Sequence, residues 1–481
     1  MKVFTIRNYP GHASYGFETT QAYRHKLLDR AGIPNCFVVA TPQMETRWID
    51  KFPWIDFNLN DVVVLPHLFT DLPDRPFGVA IEKALEEWPD AIVATQTEDH
   101  ALCLNGNGYL DLIKKDGLVV SGIERDETQK VVKQTNFTTG KFLTLSVEES
   151  EIVYYHSDGS IACRCEINAD KKQYDESHFL YHAEGCTYTT RDLVQRYVEE
   201  HAAPDDVVIV DQSQVCFGLE SIGRENHLQI WPYVHFNIAD AQAHGDIPDG
   251  ATPDEARKEL RFPRRCFIAS PYAIDYAKEA FNMDATFMPP VGVRVADALP
   301  AGLSGTRFCL ISHLGEHKRI PLALDAFRRL PPSIELDIYG GSDQAIEEFA
   351  SEHAVPSNVH MLGARKSEQV PRESYLGYVS CSKSEMYANA MVEACAVGLI
   401  PIVSDVNYGH RQYVEEIGCN TGFSDADELA RKIRMVVSWD REMRVRWSRR
   451  VLDWVRKFSS ENVDKVILGA LQKASQATDY L

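Results

Sequence analysis

The sequence predicts an α/β protein built from two doubly wound domains facing a cleft, the first interrupted by an antiparallel β insertion. Three observations carry this. Short apolar runs alternate with helical stretches towards both ends of the chain, as parallel strands with crossover helices require. Between about residues 90 and 188 that texture gives way to alternating apolar and polar residues broken by tight-turn dipeptides. The length, 481 residues at 44% hydrophobic content, suffices for roughly two to three cores of ordinary domain size.

The elements follow in chain order. "KVFTI", "NCFVVA" and "DVVVLP" read as strands, with a helix from Glu18 to Ala31 between the first two. The runs "HALCLNGNGYLDLI", "KDGLVVSGI", "GKFLTLSV" and "EIVYYHSDGSIACRCEI" read as hairpin strands. Asn105-Gly106, Asp116-Gly117 and Asp158-Gly159 punctuate them, because these dipeptides tolerate the positive φ of tight turns. After a helix near Thr190 to His201, "DDVVIVD", "HLQIWPYVHF", "RCFIASP" and "TFMPPVG" restore the α/β texture. The second domain begins near Arg307 with "RFCLISHL", "IELDIYGG", "NVHMLG", "GYVSCS" and "LIPIVSD", and charge-rich helices close the chain from Asp425. The expected boundaries are 1–78 with 202–303 for the first Rossmann-like domain and 79–201 for the insertion. The second Rossmann-like domain is expected at 304–458, and a terminal helix packing back on the first domain at 459–481.

Fifty Lys and Arg against seventy Asp and Glu give a net charge of -20, which disfavours nonspecific binding to nucleic acid. The eleven cysteines contain no CxxC pair, and Cys163 and Cys165 on a strand would share one face without forming a metal site. A reduced cytoplasmic setting fits such cysteine usage. The N-terminal stretch lacks the apolar core of a signal peptide, and no run reaches the roughly 18 apolar residues of a membrane span.

In doubly wound folds, ligands collect beyond the carboxyl ends of strands, at helix N-termini. Three stretches occupy such places. "PGHASYGFETTQAYR" offers Gly16 where helix amides face an anion. "ISHLGEHKR" places His313 and Lys318 just after the first strand of the second domain. "SCSKSEMYANAMVEACAVGLIPIVSD" sets Glu385 in a strand-to-helix loop and Glu393 within a short helix ended by Gly398. Amides near Tyr387, Ala388 and Asn389 favour a phosphate there. Carboxylates repel one, so the two acids read as acceptors for sugar hydroxyls; the bland alternative makes Glu393 a surface acid of its helix.

Glu385 and Glu393, seven residues apart and followed by "EACAVGLIPIVSD", resemble the E-x7-E motif of retaining GT-B glycosyltransferases of the glycosyltransferase 4 type. Within that family, "ASYGFETTQAYR", "PHLFTDL", the β insertion and "DVNYG" look most like the catalytic subunit of the accessory Sec system protein O-N-acetylglucosaminyltransferase. Poly(glycerol-phosphate) glycosyltransferases of wall teichoic acid are similar. The resemblance implies that the second domain binds a UDP-sugar donor, with Glu393 on the ribose hydroxyls and Glu385 near the transferred sugar. It puts the amides of Tyr387, Ala388 and Asn389 on the diphosphate, Lys318 beside it, and His313 where relatives carry an arginine. Gly16 matches the glycine beside the donor, and His235 matches a histidine near the sugar. Met386-Tyr387-Ala388 stands where the family usually has Gly-Phe-Gly.

Such an enzyme is implied to work without a metal or other cofactor, through a front-face mechanism with Glu385, Lys318 and His235 as its catalytic groups. The transferred sugar is expected to be a hexose or N-acetylhexosamine, N-acetylglucosamine first. The acceptor is expected to be Ser/Thr hydroxyls of a serine-rich protein, with a teichoic acid polymer second. A degenerate, non-catalytic subunit that binds the acceptor protein is the competing reading. A GT-B-shaped partner subunit, self-association through the β insertion, and peripheral association with the inner membrane face complete these expectations.

Overall fold

The computed structural model describes residues 1–7, 16–42, 61–72, 78–138, 140–171, 175–211, 218–234, 252–259 and 264–477. The chain divides into two compact units. One comprises Met1–Glu18, Leu28–Trp231 and Ala477–Leu481; the other comprises Thr19–Leu27 and Pro232–Gln476.

In the first unit, β1 (Val3–Arg7), β2 (Asn35–Val39) and β3 (Val62–Val64) are fully or largely apolar runs. They form a parallel sheet with β14 (Val207–Asp211), in the order β14-β1-β2-β3. All five residues of β1 and of β14 are buried, as expected for strands covered on both faces. The helix Gly16–Arg30 follows β1 and agrees with its sequence reading to within two residues. Thr190–His201 is helical as read, with a reciprocal capping box between Thr189 and Asp192 that satisfies two end amides.

Ten strands, β4 (Ile92–Gln96) through β13 (Cys186–Thr189), form the antiparallel insertion, each pairing with its neighbours in sequence. The Asp116-Gly117 turn has φ of 50° and 79°, the left-handed pair of a tight hairpin. At the first turn the sequence reading slips by one, because Asn105 ends its strand and Gly106 carries the positive φ. Cys163 and Cys165 share a face as expected and are buried against Tyr154 and Tyr181. This half of the meander and the parallel strands share one core, while Trp88, Leu110, Leu112 and Phe137 fill a second beneath the other half.

In the second unit, β15 (Gln229–Val234), which straddles the division, pairs in parallel with β16 (Arg265–Ile268), and β16 with β17 (Asp284–Phe287). The remaining strands are β18 (Arg307–Ile311), β19 (Glu335–Tyr339), β20 (Val359–Met361), β21 (Gly377–Ser380), β22 (Ile400–Ser404) and β23 (Gly422–Phe423). They make a parallel sheet in the order β20-β19-β18-β21-β22-β23. Strand order reverses at β18, so the loops after β18 and β21 flank the topological switch point, where such sheets hold ligands. The terminal helix Ser460–Ser475 binds the helix that follows β1 through Tyr23 Oη, which donates to Asp464 at 2.6 Å.

Candidate functional site

The loops after β18 and β21 carry the site's charged groups. Beyond β18 the chain makes a single turn, Glu316–Lys318, and enters the helix Ile320–Arg328 through Arg319, which holds φ 49°. That turn aims Lys318 Nζ at Glu385, donating to Oε1 at 2.7 Å, with both side chains 18% exposed. Burial disfavours the Glu385 carboxylate. The charge of Lys318, with His410 and hydrogen bonds from Lys318 and Ser382, outweighs burial and holds its pKa below the usual value.

The loop that carries Glu385 is fixed from several sides. Arg319 donates from Nε to Cys381 O at 2.6 Å and from Nη2 to Ser382 O at 3.2 Å. Ser404 Oγ also donates to Ser382 O at 2.6 Å, and Lys383 N donates to His317 O at 2.8 Å. Met386 and Tyr387 turn inward, Tyr387 Oη donating to Val291 O at 3.0 Å. Ala388 takes the left-handed conformation that a glycine adopts freely, φ 56°, and N-caps the helix Asn389–Ala396 without a side-chain hydrogen bond. The first amides of that helix therefore have no side-chain cap, and Gly398 at φ 83° lies just beyond its end, as the sequence reading had it.

Glu393 sits in that helix, 24% exposed, and is more than a surface acid. Its Oε2 accepts from Arg372 Nη2 and from Ser367 Oγ, the latter at 2.7 Å. His313 lies at the exit of β18 and accepts from Gly315 N at Nδ1, 3.1 Å, which leaves its neutral-form proton on Nε2. Burial, with the charges of Lys318 and His317, pushes its pKa down to about 4. His313 is thus a neutral donor close to Lys318.

His410, at the start of the helix after β22, is buried. Ser404 commits its hydroxyl proton to Ser382, so His410 Nδ1 donates to Ser404 Oγ at 3.3 Å. Burial pushes His410 down to about 4, with Glu385 pulling the other way. Since an unfolded histidine titrates near 6.5, the unfolded chain takes up a proton below that pH which the folded chain refuses. Stability contributed by neutral His410 is thus full above about pH 6.5 and falls as pH drops towards 4, by about 2 kcal/mol between pH 7.5 and 5. His410→Gln should remove that share of the pH dependence. Urea midpoints of both proteins at the two pH values check this, and equal differences would sink the assignment.

Of the residues expected from sequence, the structure brings Lys318, His313 and Glu385 together and puts Tyr387, Ala388 and Asn389 at the helix mouth. Gly16 opens its helix in the other unit. His235 lies outside the described residues. Arg319, Arg372, Ser367 and His410 were not singled out in the sequence. The only local signal is the run Lys318-Arg319, which reads as a solvated basic pair.

Residues 302–454 match the family model of glycosyl transferases group 1. The chain carries a glycosyl transferases group 1 domain. The matched stretch contains Lys318, Glu385 and Glu393. Over 450 residues the chain is 22% identical to the UDP-N-acetylglucosamine–peptide N-acetylglucosaminyltransferase GtfA subunit of Streptococcus agalactiae, with 86% of each chain covered. The fold is similar to that of the pneumococcal O-GlcNAc transferase GtfA in complex with UDP and GlcNAc, at TM-score 0.78 and 16% identity over 99% of both chains. It is similar to the GtfA/B complex at TM-score 0.74 and 16% identity, covering 99% of this chain and 100% of that one. TarM follows at TM-score 0.70 and 15% identity over 99% of both. The architecture is GT-B, with a ten-stranded antiparallel sheet inserted in the first unit. Among the described residues, no helix is long and apolar enough to cross a membrane.

Proposed function

We propose that the protein is a retaining glycosyltransferase that moves N-acetylglucosamine from UDP-N-acetylglucosamine to Ser/Thr hydroxyls of an acceptor protein. The observation that carries the reading is the pairing of Lys318 with Glu385 at 2.7 Å, next to a helix N-terminus that no side chain caps. The uncapped amides and Lys318 suit a diphosphate, neutralising the charge that develops as the leaving group departs. Glu385, kept ionised by Lys318, suits the sugar, orienting its hydroxyls and stabilising positive charge at the anomeric carbon. Glu393 suits the ribose. The donor's own phosphate oxygen takes the acceptor proton, so neither a protein nucleophile nor a resident metal is required.

The GtfA relatives support a protein acceptor and a UDP-N-acetylglucosamine donor for this chain. The likeness to TarM favours a second reading, α-glycosylation of a teichoic acid. The acidic total, -20, weighs against a polyanionic acceptor. A degenerate, acceptor-binding role is the weaker reading, because a scaffold has no need of Lys318, Glu385 and Glu393 together.

The GtfA/B likeness and the edge strand β4, all five of whose residues are exposed, support assembly with a partner subunit or a second copy through the insertion. A cytoplasmic enzyme working at the inner membrane face is the setting we propose.

The test is binding of UDP-N-acetylglucosamine and UDP-glucose by calorimetry, with UDP release assayed alongside. Saturable binding of the first, slow UDP release, and loss of both in Glu393→Ala are expected. A wild-type chain that is folded yet binds neither donor would overturn the enzyme reading.

A further inference from the structure

We propose that Arg372 is the positioning residue for nucleotide ribose, acting through Glu393; this rests on the reading of Glu393 as the ribose acceptor. Arg372 belongs to a single turn just before β21 and is buried, at 7% exposure. Its guanidinium reaches two groups. Nη1 donates to Ser367 O, while Nη2 donates both to Ser367 Oγ at 2.9 Å and to Glu393 Oε2. Ser367 Oγ in turn donates to the same Oε2 at 2.7 Å.

The three side chains thus close a ring on one carboxylate oxygen. Glu393 Oε1 has no hydrogen bond among the described residues, and its side chain is 24% exposed. A carboxylate with one oxygen clamped and the other open presents an acceptor of fixed direction, the form of preorganisation that lets a site read a hydroxyl. Arg372 Nε, also buried, has no hydrogen-bond partner among the described residues. Its fork is spent on Glu393 and Ser367 instead. Lysine cannot copy that arrangement, because a single ammonium lacks the planar pair of donors.

The consequence is selective. Without Arg372, the Glu393 carboxylate loses the clamp that fixes its direction, so recognition of the ribose hydroxyls should suffer more than recognition of the diphosphate. The experiment compares UDP with 2′,3′-dideoxy-UDP by calorimetry on the full chain. The wild type should prefer UDP by about tenfold or more, the scale set by leaving a site's polar group unpaired. Arg372→Gln should cut that preference to about twofold, Arg372→Lys should fall between, and Glu393→Gln should abolish it.

A role confined to stability would weaken both nucleotides equally. A wild-type preference in Arg372→Gln, with Glu393→Gln impaired, overturns this inference and leaves the ribose role of Glu393 standing. No preference in the wild type, or none lost in Glu393→Gln, overturns that role and Arg372's with it. Circular dichroism on each variant confirms that the folded chain is being compared.

Discussion

Lys318→Ala is expected to lower UDP-sugar turnover by about 10²–10³-fold, the usual loss when one preorganised group facing transition-state charge is removed. The same change strips Glu385 of the partner that keeps it ionised against burial, so the Glu385 pKa rises. Two consequences separate this from a general loss of structure. The residual activity should acquire an acid limb, falling as pH drops through the raised pKa of Glu385, where the wild type is flat. Stability should change by no more than about 1–2 kcal/mol, since the pair is partly exposed and solvent screens it. Lys318→Arg keeps the charge while misplacing it, and should recover part of the rate. A pH–rate profile for each variant under saturating donor is the check, and wild-type turnover in Lys318→Ala would remove Lys318 from the chemistry.

Arg444→Met should destabilise the second unit by about 2–4 kcal/mol, because it strands one buried and three partly buried carbonyls at once. Arg444 is buried in the helix Arg441–Val455, and burial lowers its pKa. Nη1 donates to Leu303 O at 3.0 Å and to Gly305 O at 2.9 Å, Nε to Trp439 O at 3.0 Å, and Nη2 to Val437 O. One guanidinium thereby ties the turn before β18 to the end of the helix Ala426–Ser438. Arg446, two residues on, is 64% exposed and reaches Glu442 only at 3.6 Å. Its replacement by Met should cost under about 0.5 kcal/mol. Urea midpoints of the two variants measure the contrast, and equal midpoints would show that the carbonyls find other donors.

The same contrast explains what could be read beforehand. Strands such as Val207–Asp211 and the helix Asn389–Ala396 are legible because apolar runs, caps and glycines are local signals. Glu385, Glu393 and Lys318 could be singled out beforehand because they match a family motif set at two strand exits, whereas the stretch around Lys318 alone reads as a solvated face. Arg444 and Arg372 are not, since "REMRVRWSRR" and "VPRESY" look like any solvated basic stretch. Whether a guanidinium turns inward depends on carbonyls and carboxylates distant in sequence, such as Leu303 O, 141 residues from Arg444. The inward turn of Tyr387 has no local signal for the same reason, because its acceptor, Val291 O, is 96 residues away.

The insertion imposes an order of events during synthesis. β1 pairs with β14, Val3 opposite Val207, so β1 meets one neighbour only after about 200 further residues have been made. At about 5–20 residues per second this is a wait of roughly 10–40 s. Meanwhile each strand from β4 to β13 pairs with the one made just before it, and such local closure is fast. The meander can therefore complete itself while β1 still lacks β14. A pause or truncation before Val207 would release a chain with a finished insertion and an open parallel edge, a natural target for chaperones.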